Sequence, residues 1–90
     1  MQQNEAIQKD QFVRIGSVTQ QTTLCKDFLY KQVAKGLFPS QIKLGERVSV
    51  WLQSEITTFL NARIAGISND ELKDLVKELE AARKSTGGKV

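Results

Sequence analysis

The sequence lacks histidine altogether and contains one cysteine and one proline among its 90 residues. Without histidine it has neither the usual general base of enzymes nor the commonest protein ligand of metals. A single cysteine cannot form a disulfide within the chain, which argues against a disulfide-stabilised secreted domain and for a cytoplasmic protein. We therefore predict that the chain is not an enzyme and that it holds no metal and no cofactor.

Long apolar segments are also missing from this sequence. No hydrophobic run approaches the roughly 20 residues that span a bilayer, and the polar start MQQNEAIQKD does not have the pattern of a secretory signal. A length of 90 residues suits one small domain, with little volume for both a core and a deep substrate pocket. These observations predict a small binding module without a membrane partner.

The net charge of +3 is small, but it is unevenly distributed. Residues 25–47 contain five basic and two acidic residues, whereas residues 68–90 contain five of each. A local excess of positive charge on a small domain favours a polyanionic partner, and nucleic acid is the commonest one. The same charges are also compatible with an ordinary solvated surface, because the total is modest.

Composition and periodicity divide the chain into four parts. Residues 1–11 are rich in glutamine and lack hydrophobic periodicity, so we expect a disordered N-terminal tail. Residues 12–66 form the predicted folded domain. Residues 67–84 form an additional C-terminal helix, and residues 85–90, with the sequence STGGKV, are expected to be a frayed tail.

Two helices separated by a short turn are predicted in the first half of the domain. Val18 and Thr22 lie four residues apart on one face of a short first helix. Residues 22–25 follow as the turn, because β-branched threonines disfavour helix interiors. The second helix covers residues 26–35, and Gly36 suits a left-handed cap at its C-terminus. This arrangement is a helix-turn-helix.

The hydrophobic period changes after Pro39. Residues 42–44 and 48–51 alternate apolar and polar side chains around Gly45, which predicts a short β-hairpin with glycine in its turn. A hairpin directly after a helix-turn-helix is the wing of a winged helix. The predicted fold class is therefore mainly α with a small β-hairpin: a winged helix-turn-helix DNA-binding domain followed by a C-terminal helix.

Two further helices complete the prediction. Ser54 is the expected N-cap of the third helix, with Glu55 in its first turn and Gly66 at its end. Ser68 and Glu71 have the capping-box spacing that starts a fourth helix. Both helices have apolar faces at the spacing i, i+3, i+4. The face comprises Ile56, Phe59, Leu60 and Ile64 in the third helix, where Arg63 follows the same spacing, and Leu72, Leu75, Val76, Leu79 and Ala82 in the fourth.

The apolar face of the fourth helix is compatible with an alternative function. The apolar stripe from Leu72 through Leu75 and Leu79 to Ala82 spans barely two heptads, which is too short for an autonomous coiled coil, so a core face within the molecule is the preferred interpretation. If the stripe is instead free to bind another protein, the chain is a protein-interaction module, such as an anti-repressor or an adaptor, that binds its partner through this C-terminal helix.

The second helix of a helix-turn-helix enters the major groove of DNA, and its N-terminal residues meet the base edges. Lys26 and Lys31 can bind guanine acceptors or phosphates, and Asp27 can accept a hydrogen bond from cytosine. The hairpin can bind the DNA backbone or the minor groove. The full set of predicted DNA-binding residues is Lys26, Asp27, Tyr30, Lys31 and Lys35 on the helix, with Lys43 and Arg47 on or beside the wing.

Most of these residues also have a structural interpretation. Tyr30 suits a half-buried helix position equally well, and Asp27 can stabilise the helix N-terminus. The lysines can be solvated, and Arg47 can decorate a turn.

Four other side chains are interpreted mainly from their size and type. Trp51, Phe38 and Phe59 are expected in the core, where a large apolar side chain contributes about 2–3 kcal/mol. Cys25 is expected to be a small residue at the helix cap or in the core rather than a nucleophile, since no histidine can activate it.

From residue 14 to residue 64 the sequence resembles the AlpA family of prophage regulators and excisionases. The family pattern has Val, a spacer, Thr-Gly-Leu-Ser, Arg-Ser-Thr, Leu or Ile, Tyr, and a helix that closes with Gly-x-Phe-Pro. It continues with Leu-Gly, Arg, Trp and Ser-Glu-Ile/Val. The matching residues here are Val18, Thr22-Thr23-Leu24-Cys25, Lys26-Asp27-Phe28, Leu29-Tyr30, Gly36-Leu37-Phe38-Pro39, Leu44-Gly45, Arg47, Trp51 and Ser54-Glu55-Ile56.

Three positions depart from the family pattern. Thr23 replaces the glycine of the turn, Cys25 replaces the serine at the helix cap, and Phe28 replaces a threonine. The loss of the serine is expected to weaken the cap by about 1 kcal/mol. Phe28, if exposed, would contact either a base methyl group or a protein.

The resemblance implies a winged helix-turn-helix of the MerR and excisionase type that binds double-stranded DNA at an attachment site or promoter. Family members activate integrase transcription or bend attachment-site DNA so that excision is favoured. The implied function is that of a transcriptional regulator, an excisionase (a recombination directionality factor) or both, encoded by a prophage or genomic island. Self-association on DNA and contact with an integrase are further expectations.

Overall fold

The computed structural model describes residues 10–87, with side chains described through residue 84. In chain order its elements are β1 (Phe12–Val13), α1 (Ile15–Thr22), α2 (Lys26–Ala34), β2 (Ile42–Lys43), β3 (Ser49–Leu52), α3 (Gln53–Ala65) and α4 (Asn69–Gly87). The predicted order of helix, turn, helix, hairpin, helix and helix is confirmed, as is the mainly helical fold class. Strand β1 was not predicted.

The three strands form one antiparallel sheet with β3 in the centre, in the order β1-β3-β2. Val13 of β1 lies opposite Trp51, and Lys43 of β2 lies opposite Ser49. The Leu44 N–H donates to the Val48 carbonyl at 2.8 Å, which closes the β2–β3 hairpin. The predicted hairpin is thus present. β1 escaped prediction because a strand of two residues is too short to show alternation.

The core is centred on Trp51, which is fully buried. Its indole N–H donates to the Pro39 carbonyl at 2.9 Å, so this buried polar atom is satisfied. The ring centres of Tyr30 and Phe38 lie 6.1 and 6.4 Å from that of Trp51, and Phe38 packs edge-to-face on Phe59 at 4.8 Å. The core positions predicted for Trp51, Phe38 and Phe59 are confirmed. Fully buried side chains from α1, α2, α3 and α4 complete this core: Val18, Leu29, Ile56 and Leu72.

The turn between α1 and α2 is stabilised by Thr22 and strained at Thr23. The buried Thr22 hydroxyl donates to the Val18 carbonyl at 2.8 Å and accepts the Leu24 N–H at 3.2 Å. Thr23 has a φ of 62°, in the left-handed region that β-branched residues rarely adopt. The backbone therefore has the conformation that suits the glycine of the AlpA pattern, although the side chain is threonine.

Replacing Thr23 by glycine is expected to stabilise the protein. Relief of the left-handed strain gains about 1–2 kcal/mol, and the greater freedom of glycine in the unfolded chain offsets about 0.5–1 kcal/mol of it. The net gain should raise Tm by a few degrees, since each kcal/mol shifts Tm by about 4–8 °C in a small domain. Thermal unfolding followed by circular dichroism measures the shift. Thr23→Ala is the control, and an equal gain in that variant would contradict the argument from φ.

Helix α2 ends in a Schellman motif, as the position of Gly36 predicted. Gly36 has a φ of 78°. Its N–H donates to the Val33 carbonyl at 3.0 Å, and the Leu37 N–H donates to the Gln32 carbonyl at 2.9 Å. These bonds satisfy carbonyls that a helix end leaves open. The chain then turns into the buried segment Leu37–Pro39 that leads to the sheet.

The N-terminus of α3 corrects a prediction, because Ser54 is not its N-cap. The N-cap residue is Leu52, whose side chain has no hydrogen-bonding group, and Ser54 lies inside the first turn. Asp10 supplies the missing acceptor: its carboxylate accepts the Ser54 N–H at 3.0 Å and the Ser54 hydroxyl. Partial burial raises the pKa of Asp10, but the hydrogen bonds from Ser54 and from the Gln11 N–H outweigh it and lower that pKa.

Removing the Asp10 carboxylate is expected to destabilise the protein at neutral pH and not in acid. Because the pKa is lower in the folded state, this carboxylate stabilises fully above its ordinary value of 3.8, and the effect is lost as the pH falls through the folded-state pKa. Asp10→Ala should lower the free energy of unfolding by about 0.5–1 kcal/mol near neutral pH, typical of an exposed helix cap. Urea unfolding at neutral and acidic pH measures this. Glu46→Ala, which removes another exposed carboxylate, serves as the control.

The apolar faces of α3 and α4 are partly as predicted. Ile56, Phe59, Leu72 and Val76 are buried, and the capping box is confirmed, with the Ser68 N–H donating to the Glu71 carboxylate at 3.0 Å. At the far ends the prediction was wrong. Ile64 is 83% exposed, and Ala82 is also exposed. Neither lies under another element, whereas a periodic pattern assumes that the whole stripe is covered.

An ion pair joins α4 to α3. Glu55 is buried, and its carboxylate accepts two hydrogen bonds from Arg83, at 2.9 Å from Nε and 2.6 Å from Nη2. Nη2 of Arg83 also donates to the Ser40 carbonyl at 2.8 Å, and the Ser40 N–H donates to Glu80 at 2.8 Å. The hydrogen bonds to Glu55 raise the pKa of Arg83 above its ordinary value, although burial opposes the rise.

The ends of the described chain take part in the fold. Asp10 and Gln11, which were predicted to lie in the N-terminal tail, both form hydrogen bonds with the start of α3. The Asp10 carboxylate accepts the Ser54 N–H, and the Gln11 carbonyl accepts the Gln53 N–H at 2.8 Å. Residues 85–87, placed in the C-terminal tail, have helical backbone as the end of α4. The rest of the two predicted tails, 1–9 and 88–90, lies outside the described residues. None of the helices within residues 10–87 is long and apolar enough to cross a membrane.

Candidate nucleic-acid interface

Helix α2 has clearly distinct inner and outer faces. Leu29 and Gln32 are buried, and Tyr30 and Val33 are half-buried. The periodicity of these positions fixes the outward direction of the helix. The other residues of α2 are exposed, namely Lys26, Asp27, Phe28, Lys31 and Ala34. Lys35, which caps the C-terminus of the helix, is exposed as well.

The outer face of α2 is a basic surface. It presents Lys26, Lys31 and Lys35 against a single acidic residue, Asp27. Among residues 10–84 none of these lysines forms an ion pair with a carboxylate, since the ion pair found there joins Arg83 to Glu55. The lysines of this surface therefore remain available to an external anion. An exposed cationic ridge, which the DNA-binding hypothesis requires, is present on this helix.

Tyr30 has a different position from the four charged candidates of α2. It is half-buried, and its ring packs at 6.1 Å on the Trp51 ring in a tilted arrangement. This contact attaches α2 to the core. The structure thus bears out the half-buried interpretation of Tyr30, whose role in DNA contact stays a prediction.

The remaining two candidates lie on the β2–β3 hairpin. Lys43 ends β2, and Arg47 lies in the loop between the strands; both are exposed. In the described part of the chain no hydrogen bond joins either of them to α2. The structure therefore places the seven predicted residues on two separate elements, five on and beside α2 and two on the hairpin.

Cys25 occupies the N-cap of α2, with an exposed side chain that makes no cap hydrogen bond. Of its two predicted places, the cap is thus the one observed. Within residues 10–84 no three His, Cys, Asp or Glu side chains are grouped closely enough to hold a metal ion.

A groove of about 340 Å³ lies away from these candidates. Its lining combines apolar side chains with the two ends of the Glu55–Arg83 ion pair. The apolar part comprises Phe12, Ile42, Leu52, Leu79 and Ala82. None of the seven predicted DNA-binding residues lines it, so it is not part of the basic surface.

Comparison with known families confirms the resemblance seen in the sequence. The family model described as the prophage CP4-57 regulatory protein (AlpA) matches residues 11–64. The chain belongs to the AlpA family. The matched range runs from the residue before β1 into the last turn of α3. It therefore includes the whole helix-turn-helix and the hairpin, and it leaves α4 outside.

The chain is also similar to a protein of a bacteriophage. The chain is 37% identical over 60 residues to the uncharacterized protein ORF88 of Enterobacteria phage P4. The aligned segment covers 67% of this chain and 68% of the relative. No solved structure matches the chain significantly. The family description is that of a regulatory protein of prophages.

The sequence did not predict the contact that holds α1 of the helix-turn-helix against α3. Gln21 of α1 and Gln53 of α3 form a reciprocal amide pair, with each Nε2 donating to the other side chain at 2.8 Å. Their separation of 32 residues leaves no local pattern to detect. This pair holds the first helix of the helix-turn-helix against the start of α3.

Proposed function

We propose that this protein binds double-stranded DNA, with α2 in the major groove and the β2–β3 hairpin as the wing. The observation that supports this most is the outer face of α2, where Lys26, Lys31 and Lys35 are exposed and unpaired among the described side chains. A helix fits the major groove, and lysines along it can bind phosphates or guanine acceptors.

The other site residues have matching roles in this proposal. Lys43 and Arg47 bind the DNA backbone beside the groove, and Asp27, at the start of α2, accepts a hydrogen bond from a cytosine amino group. Tyr30 donates to a phosphate through its hydroxyl while its ring remains on Trp51. Phosphate contacts fix the position of the domain, and base contacts select the sequence.

The charge of α4 supports this orientation. That helix has five acidic and four basic residues, whereas α2 has a clear excess of lysine. Buried Leu72 and Val76 engage much of its apolar stripe within the molecule, which argues against the alternative of a partner-binding module. The excess of lysine on α2 is thus not shared by α4.

Membership of the AlpA family supports a regulatory role on prophage or genomic-island DNA. We propose that the protein acts in the cytoplasm as a transcriptional regulator, an excisionase, or both, at a promoter or attachment site. A single winged helix buries about 600–1,000 Å² on DNA, so self-association on adjacent sites would strengthen binding. Contact with an integrase belongs to the excisionase role.

Salt dependence tests the DNA-binding proposal. Binding of the full chain to labelled duplexes from the region flanking its gene is measured over a range of salt concentrations. If about four or five cations neutralise phosphates, log K should fall with log salt at a slope of about −3.5 to −4.5. A slope near zero, or no binding at low salt, would overturn the proposal. Footprinting then locates the site, and a DNA-bending assay separates an excisionase from a simple promoter activator.

A further inference from the structure

Phe28 is an exposed aromatic residue within the basic surface of α2. It is 43% exposed and is not among the buried or partly buried side chains of the core cluster. It is the third residue of α2, in the N-terminal turn. Lys31 and Lys35 follow it at spacings of three and seven residues, which places all three on one exposed edge of the helix.

The chemistry of the side chain restricts what Phe28 can recognise. Phenylalanine has no hydrogen-bonding group, so it cannot bind the polar edge of a base or a phosphate. The apolar group that the major groove presents is the C5-methyl group of thymine, and phenylalanine is among the side chains that contact it. The N-terminal turn of the second helix is the part of a helix-turn-helix that meets base edges.

We infer that Phe28 determines sequence specificity by packing on a thymine methyl group. This inference rests on the proposed function and adds to it a preferred base. Lys31 and Lys35, on the same edge of α2, hold the helix in the groove by their charge, and Phe28 then selects for thymine at one position. Three charged residues near Phe28 in the chain, Lys26, Asp27 and Lys31, are also exposed, which favours a polar, anionic partner over an apolar protein surface.

Deoxyuridine provides a direct test, because it lacks only the C5-methyl group of thymine. Duplexes that bind the full chain are first selected from a random library. Each thymine of the selected sequence is then replaced singly by deoxyuridine, and the affinity is measured again. We expect one replacement to weaken binding about three- to tenfold, the effect of removing one buried methyl group.

Variants assign that loss to Phe28. Phe28→Ala should bind the thymine and deoxyuridine duplexes equally, whereas Phe28→Leu should keep part of the preference for thymine. Ile64→Ala removes another exposed apolar side chain, on α3, and should keep the full preference. Thermal unfolding of each variant confirms that the fold is retained.

The outcomes separate the inference from the proposed function. Tight, salt-dependent binding without loss at any deoxyuridine would overturn the inference and leave DNA binding intact. A deoxyuridine effect of equal size in Phe28→Ala would also overturn it, because the methyl contact would then belong to another residue. No enriched sequence and no binding at low salt would overturn both.

Discussion

Replacing Arg83 by alanine is expected to lower the free energy of unfolding by about 2–4 kcal/mol. The variant leaves the carboxylate of Glu55 in the interior without its partner, and removing one member of a buried ion pair costs about 3–5 kcal/mol. The expected loss is smaller here because the Arg83 side chain is itself 20% exposed, so water can partly replace it. Since small domains have only about 5–15 kcal/mol of stability, Tm should fall by about 10 °C or more.

Four further variants, among them Glu55→Ala alone, test whether the loss comes from this ion pair. Lys84→Ala removes a neighbouring exposed charge on α4 and should change stability by less than about 0.5 kcal/mol. Arg83→Lys keeps the charge but not the two-point geometry, and should give an intermediate loss. Glu55→Ala combined with Arg83→Ala should cost at least about 0.5 kcal/mol less than the sum of the single changes. Strict additivity in chemical unfolding would contradict direct coupling of the two side chains.

The parts of this fold that depend on local sequence were predictable. Gly36 and Pro39 marked the end of α2, and Ser68 with Glu71 marked the start of α4, because a cap is defined by residues within one turn of each other. The outer face of α2 followed from helical periodicity around Leu29. The exposure of Lys26 and Lys31 on this helix is therefore predictable from the sequence, whereas their contact with DNA stays a prediction.

The contacts that hold these elements together were not predictable. Asp10 replaces Ser54 as the capping acceptor from 44 residues away, and Arg83 reaches Glu55 across 28 residues. Such pairs form because the chain folds back on itself, and nothing in the local sequence marks the partner. The exposure of Ile64 was missed for a similar reason, since periodicity defines a helix face but not where the neighbouring element stops.

The backbone conformation of Thr23 could not be predicted from the residue type alone. A β-branched residue argues for extended backbone, whereas the structure has φ at 62°. The glycine at this position of the AlpA pattern is compatible with the left-handed conformation, because glycine adopts it without strain. Here the geometry required by the turn prevails over the preference of the residue, which is why Thr23→Gly is expected to stabilise the protein.

Removing Lys26 and Lys31 together is expected to weaken DNA binding by about 10- to 100-fold without lowering Tm. Both side chains are exposed on α2 and form no ion pair among the described residues, so their loss leaves the core unchanged. If each lysine neutralises one phosphate, the slope of log K against log salt should become less steep by about 1.8. Fluorescence anisotropy with a labelled duplex measures both quantities.

A matched double variant separates position from total charge. Lys77→Ala with Lys84→Ala also removes two exposed lysines, but from α4, outside the family match. It lowers the net charge by the same amount, so any long-range electrostatic effect should be shared, whereas the loss of direct contacts should be confined to the α2 variant. Equal losses in the two variants would mean that binding follows net charge alone, and an unchanged affinity in the α2 variant would mean that this helix does not lie in the groove.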